Sequence, residues 1–188
     1  MSWVVAGKPN YWTVNDLVSK LVRGEIDIPE FQRDFIWSDN QIEMLAESVY
    51  RGYPIGLIIL WQTGGKLYIL DGQQRLLSLA LLMREEIETS RGIVRRYVWF
   101  YPEPGKEFFK VTKIKRQPGD KWLRVKEILS LGPSKLSLFI GHYANEKFPD
   151  KDEEFKDNVA RSISTLWSRF YEDTAYAVPV YILSLIHI

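Results

Sequence analysis

The sequence predicts an α+β fold with a mainly helical C-terminal part. Three observations point there. Capping patterns open two amphipathic segments, Thr13-Val14-Asn15-Asp16 and Ser38-Asp39-Asn40-Gln41, each a hydroxyl followed three residues on by a carboxylate or amide. An apolar hairpin runs without a break into an almost wholly apolar helix near Gln73. Apolar residues then recur at helical spacing over residues 152–171.

Taken in order, Val14, Leu17, Val18, Leu21 and Val22 form one helical stripe that Gly24 can close. Glu25-Ile26-Asp27-Ile28 alternates like a short strand and stops at Pro29. Ile42, Leu45, Ala46 and Val49 line a second helix that ends at Gly52. Leu57-Ile58-Ile59-Leu60-Trp61 is apolar on both faces, which reads as a central strand buried on two sides. Thr63, Gly64 and Gly65 make a turn, and residues 66–70 return as the hairpin partner. The next helix is expected over residues 73–90, with Leu76, Leu79, Ala80, Met83 and Ile87 on its core stripe. Strands are expected over residues 95–101, 107–111 and 177–182, and helices over 134–143 and 152–171. Residues 183–188 read like a translated sequencing adapter, with a native edge strand as the alternative. They are set aside, and the natural protein is expected to be longer.

Of 188 residues, 46% are hydrophobic and 26% charged, which suits a globular domain and not a disordered chain. Lys and Arg total 25 against 24 Asp and Glu, so any basic surface is a local patch. The absence of Cys excludes disulfides, thiolate zinc sites and Cys nucleophiles. With His142 and His187 the only histidines, zinc is not expected, nor haem or flavin. The longest apolar run is too short to cross a bilayer, and residues 1–8 lack a signal-peptide core. The expectation is a cytoplasmic protein with no membrane partner.

The stretch richest in chemistry is Asp71-Gly72-Gln73-Gln74-Arg75, where a strand meets a buried helix. The first turn of a helix leaves N–H groups unpaired, and its dipole favours an anion. Gly72 permits a tight turn and close approach of a phosphate, and Arg75 can fork onto phosphate oxygens. Gln73 and Gln74 can read a base or sugar, or orient a water. Asp71 can hold magnesium through water or position an attacking water. The structural alternative makes Asp71 a helix cap and Arg75 its ion-pair partner. Against it, polar groups crowded on a core need partners, since burying one unpaired costs about 1–3 kcal/mol. These residues alone leave both readings open.

A second cluster surrounds Gln32 and Arg33, which would project from a loop anchored by Phe31, Phe35 and Trp37; a plain aromatic loop is the alternative. Gly52-Tyr53-Pro54-Ile55-Gly56 bends the chain, most simply as a helix-to-strand turn. A basic stretch holds Lys113, Lys115, Arg116, Lys121, Arg124 and Lys126 around Trp122, with Arg91, Arg95 and Arg96 upstream. Lys115 and Arg116 are the candidates for DNA phosphates, and Trp122 for stacking on a base. The alternatives are a solvated basic face and a buried Trp.

In combination, Pro29-Glu30-Phe31-Gln32-Arg33 with Trp37, Ser48 with Gly52-Tyr53-Pro54-Ile55-Gly56, and Leu70-Asp71-Gly72-Gln73-Gln74-Arg75 resemble the N-terminal domain of GmrSD-type restriction systems over residues 12–85. The resemblance implies a fold like ParB and sulfiredoxin, a small mixed sheet with packed helices. It implies a nucleotide-binding core over residues 1–105, with 106–182 a strand and helical extension of the same domain. Sulfiredoxin chemistry is excluded, because it needs a Cys. The resemblance implies a magnesium-dependent nucleoside triphosphatase. Asp71, Gln74 and Arg75 would be catalytic. Gly72, Gln73 and Arg75 would hold the nucleotide, faced by Gln32 and Arg33, and Asp71 would bind the magnesium. It also implies defence against foreign DNA and an HNH-type nuclease domain in cis or in trans. No HNH pattern occurs in this chain, so no nuclease activity is expected of it alone. The competing reading is a non-catalytic nucleotide- or DNA-sensing domain that regulates a separate nuclease.

Overall fold

The computed structural model describes residues 3–29, 34–103, 105, 109–172 and 176–187, with side chains between residues 9 and 184. β1 (Trp3–Thr13) leads straight into α1 (Val14–Val22), whose cap forms as expected: Thr13 Oγ1 accepts from the Asp16 N–H at 3.0 Å. The chain turns at Gly24 into β2 (Ile26–Asp27). α2 (Asp39–Arg51) opens on the complete Ser38–Gln41 capping box and stops at left-handed Gly52. β3 (Ile58–Thr63) and β4 (Lys66–Asp71) form the hairpin, and β4 passes through Gly72 into α3 (Gln73–Arg84). A second hairpin follows, β5 (Glu86–Thr89) and β6 (Gly92–Arg95). Next come β7 (Tyr97–Phe100), β8 (Phe109–Thr112), β9 (Leu123–Arg124) and α4 (Val125–Leu129). The last elements are α5 (Pro133–Lys147), α6 (Glu153–Tyr171) and β10 (Ala177–His187).

The main sheet has five strands in the order β1-β10-β3-β4-β2 and is mixed. β10 runs parallel to β3 and β2 parallel to β4, while β1–β10 and β3–β4 are antiparallel. β7 is flanked by β8 and β9 in a separate three-stranded sheet. α1, α2, α3 and α6 pack on one another, and α4 joins α3 and α6. The shared core holds Leu17, Ile42, Ile58, Leu60, Ile69, Leu79, Leu82, Val159 and Val180, all fully buried. The fold class is α+β, as expected.

Two expectations need correction, and one strand was missed. The strand read as buried on two sides is buried on one. Ile58 and Leu60 face the helices, whereas Leu57 and Trp61 keep 40% and 37% of their surface. The opposite sheet face, with half-buried Tyr68 and exposed Leu70, is left partly open. The helix expected over residues 73–90 ends at Arg84. Glu85 adopts φ +69°, which breaks the ladder, and alternating Glu86-Ile87-Glu88-Thr89 pairs with residues 92–95. β1 was not legible, because Gly7, Lys8 and Pro9 interrupt its apolar pattern; its pairing with β10, residue for residue from Thr13↔Ala177 to Trp3↔His187, creates it. In that pairing β10 continues through residues 183–187, the segment set aside above.

Candidate functional site

α3 is the most deeply buried helix, and its first turn gathers two loops around it. Gly72 precedes it at φ +90°, a conformation suited to glycine. A Cβ there would lie 3.0 Å from Ile58 Cγ1 and 3.3 Å from Arg75 Nη2. Among the described residues no side chain caps this helix.

Gln74 is buried and both ends of its amide are used. Nε2 donates to the Asp34 carbonyl at 2.9 Å, and Oε1 accepts from the Ile36 N–H at 2.9 Å. Arg75 reaches the other way. Its Nη1 donates to the Ile55 carbonyl at 3.0 Å, and its Nη2 pairs with the exposed Asp71 carboxylate at 3.0 Å. Gly56 is needed beside it: a Cβ at that position would sit 2.5 Å from Arg75 Nη1. Tyr176 fastens the same loop by donating to the Tyr53 carbonyl at 2.7 Å. The segments singled out at residues 34–37, 52–56 and 71–75 thus meet at one helix end. Phe35 and Trp37 pack on the core as the expected anchors. Gln32 and Arg33, with Phe31, lie outside the described residues.

Gln73 points elsewhere, into a cavity of about 590 Å³ between α1, β2, α3 and the β5–β6 hairpin. Ile26, Phe35 and Leu77 form its apolar floor, and Asp27, Asp34, Glu86 and Glu88 line it with carboxylates. Asp34 accepts from Ser90 Oγ at 2.6 Å and pairs with Arg91 at 2.8 Å, Asp27 pairs with Lys66 at 3.3 Å, and Glu86 with Arg95 at 3.0 Å. Pro29 and Asp34, the described neighbours of the 30–33 segment, both line it.

The family described as "GmrSD restriction endonuclease, N-terminal domain" matches residues 14–188. The chain belongs to that family. A more distant likeness is to the uncharacterized protein MJ0686 of Methanocaldococcus jannaschii, 34% identical over 89 residues. The aligned part spans 34% of this chain and 15% of that protein.

As a GmrSD N-terminal domain, the chain carries its expected basic residues in two different states. Arg91, Arg95 and Arg96 are paired with Asp34, Glu86 and Asp39, and so serve the fold. Arg124 is half-buried against the buried Glu85, also pairs with Glu127 at 2.8 Å, and lies over the Tyr97 ring. The hydrogen bonds it donates to Glu85 and Glu127 raise its already high pKa further. Lys115 and Arg116 are exposed, on the segment between β8 and β9. Sequence reasoning missed Asp34 and the Ile55 carbonyl as partners of Gln74 and Arg75; only the Asp71–Arg75 spacing of four along the chain hinted at a local pair. No described helix is long and apolar enough to cross a membrane.

Proposed function

We propose that this domain binds a nucleoside triphosphate at the α3 N-terminus, as the nucleotide-responsive part of a DNA restriction system. The observation that carries the reading is the start of a buried helix, with no side-chain cap among the described residues, beside a 590 Å³ cavity into which Gln73 opens. In this reading Gly72 and the first-turn N–H groups receive phosphate oxygens, and Gln73 contacts the base or sugar. Gln32 and Arg33, outside the described residues, are assigned to the same nucleotide site. Arg75 and Asp71 form the adjacent charged pair.

Magnesium fits only as an ion carried by the nucleotide. Asp71 offers one exposed carboxylate, and among the described residues no three potential ligands cluster. Phosphate oxygens and waters complete such sites elsewhere. Hydrolysis is the finer reading, with Asp71 orienting the water and Arg75 neutralising charge. Gln74 then acts by holding the loop, because both ends of its amide are occupied. The loops tied to α3 equally support the second reading, a switch. A bound nucleotide that displaces the Gln74 or Arg75 contacts would move both loops, and through them a nuclease partner in cis or in trans.

The test is a thermal-shift panel of ATP, GTP, CTP and UTP with magnesium. A ligand at a hundredfold excess over its Kd stabilises by about 2.7 kcal/mol, or about 5–11 °C for a domain of this size. Gln73→Leu is expected to abolish the shift. No shift with any nucleotide refutes the reading. Phosphate release separates hydrolysis from switching.

A further inference from the structure

A second cavity, of about 420 Å³, lies between β7, β9, α4 and α5, away from the α3 N-terminus. Its walls are aromatic: Trp99, Trp122, Phe139 and Tyr143. Trp122 leans on Tyr101 with ring centroids 5.3 Å apart, and Phe139 stacks on Tyr143 at 5.5 Å. Trp99 and Trp167 use their indole N–H groups on Thr112 Oγ1 and the Leu131 carbonyl. The indole N–H of half-buried Trp122 donates to no described residue. Three carboxylates also line it: Glu127, paired with Arg124 at 2.8 Å, Glu146, paired with Lys147 at 3.0 Å, and Asp120.

The basic turn is fastened to this pocket. Gln117 lines it and donates from Nε2 to the Trp122 carbonyl at 2.7 Å. The residues just before Gln117 are Lys113, Ile114, Lys115 and Arg116, all exposed. Among the described residues, Lys113, Lys115 and Arg116 have no carboxylate partner, unlike Arg91, Arg95 and Arg96. A patch of cations without carboxylate partners among the described residues therefore borders an aromatic pocket whose lining also holds carboxylates.

We propose that this pocket holds one unstacked base of a DNA strand, with the strand's phosphates on Lys113, Lys115 and Arg116. Trp122 supplies the stacking face and its N–H an edge contact, and the flanking phosphates leave over the basic turn. Stacking on an aromatic ring tolerates any base, while the cations follow the backbone. The site is independent of the nucleotide reading, which concerns the opposite end of α3.

Fluorescence anisotropy tests it with a labelled single-stranded thymidine oligonucleotide, an abasic strand of equal length, the corresponding duplex and an RNA strand of equal length. The protein is expected to bind the base-bearing strand roughly fivefold or more tighter than the abasic strand. Trp122→Ala removes that difference, whereas Trp122→Phe keeps part of it and checks that the fold survives. Changing Lys115 and Arg116 together to Glu weakens both strands alike and lowers the slope of log affinity against log salt by about 1.4, at about 0.7 per phosphate contact. Any one of four results overturns the proposal: equal affinity for the abasic strand, no loss with Trp122→Ala, preference for the duplex or for an RNA strand, or no binding at all.

Discussion

Gln74 offers the sharpest test of how the α3 terminus is built. Replacing it with Met keeps the approximate volume and removes both hydrogen bonds, those to the Asp34 carbonyl and from the Ile36 N–H, each 2.9 Å long. A hydrogen bond of this kind contributes about 1 kcal/mol net. The loop lies at the surface, with Ile36 57% exposed, so water can reach part of what is released. The expected loss is therefore about 2 kcal/mol, rising toward 3–4 kcal/mol if the Asp34 carbonyl stays dry. That corresponds to a fall in Tm of about 4–8 °C for the smaller figure. Urea unfolding followed by tryptophan fluorescence measures it. A loss below about 0.5 kcal/mol, the range of an ordinary surface substitution, refutes the anchoring role. A residue used only in catalysis would lower turnover and leave the urea midpoint in place.

Gly72→Ala combines a left-handed backbone with a Cβ 3.0 Å from Ile58, so urea unfolding is expected to show a loss of about 2–4 kcal/mol; under about 1 kcal/mol contradicts the packing at this turn. Arg124→Met leaves the Glu85 carboxylate buried without its counter-charge and is expected to cost about 3–5 kcal/mol in the same assay. Burial raises the phenols of Tyr50, Tyr143 and Tyr176, and burial with a hydrogen bond to Glu103 pushes Tyr101 up to about 12. A phenol whose folded-state pKa is raised contributes stability that is full below its unfolded value near 10 and is lost as pH climbs through the folded value. Stability should therefore fall from pH 10 upward, and Tyr143→Phe should show a shallower alkaline decline; parallel declines in the two proteins contradict the burial of that phenol.

Much of this molecule is local. Thr13, Ser38 and Asp152 cap the helices they precede because a side-chain oxygen and an N–H three residues on are set by the chain itself. The stripe Ile42, Leu45, Ala46, Val49 fixes the buried face of α2 in the same way, since helical geometry places those residues together before anything packs on them. The turn at Gly64–Gly65 and the start of α3 at Gly72 are equally short-range. The motif segments of the candidate site were visible for this reason, as was the α+β class.

What the chain touches far away was decided only by folding. β1 exists as a strand because β10, more than 160 residues later, supplies its hydrogen bonds. α3 stops at Glu85 because that carboxylate is held by Arg124, 39 residues on, in a backbone conformation no propensity would assign to it. The same holds for charge. Arg91, Arg95 and Arg96 look like Lys113, Lys115 and Arg116 in the sequence, but carboxylates brought alongside by the fold neutralise the first three and leave the second three open to solvent. The sequence by itself determined where α1, α2, α3 and α6 begin and the caps of α1 and α2, because these depend on neighbours within one turn. Only the tertiary structure decided the strand order, the loops that Gln74 and Arg75 hold, and the cations that remain available, because each rests on a contact between distant parts of the chain.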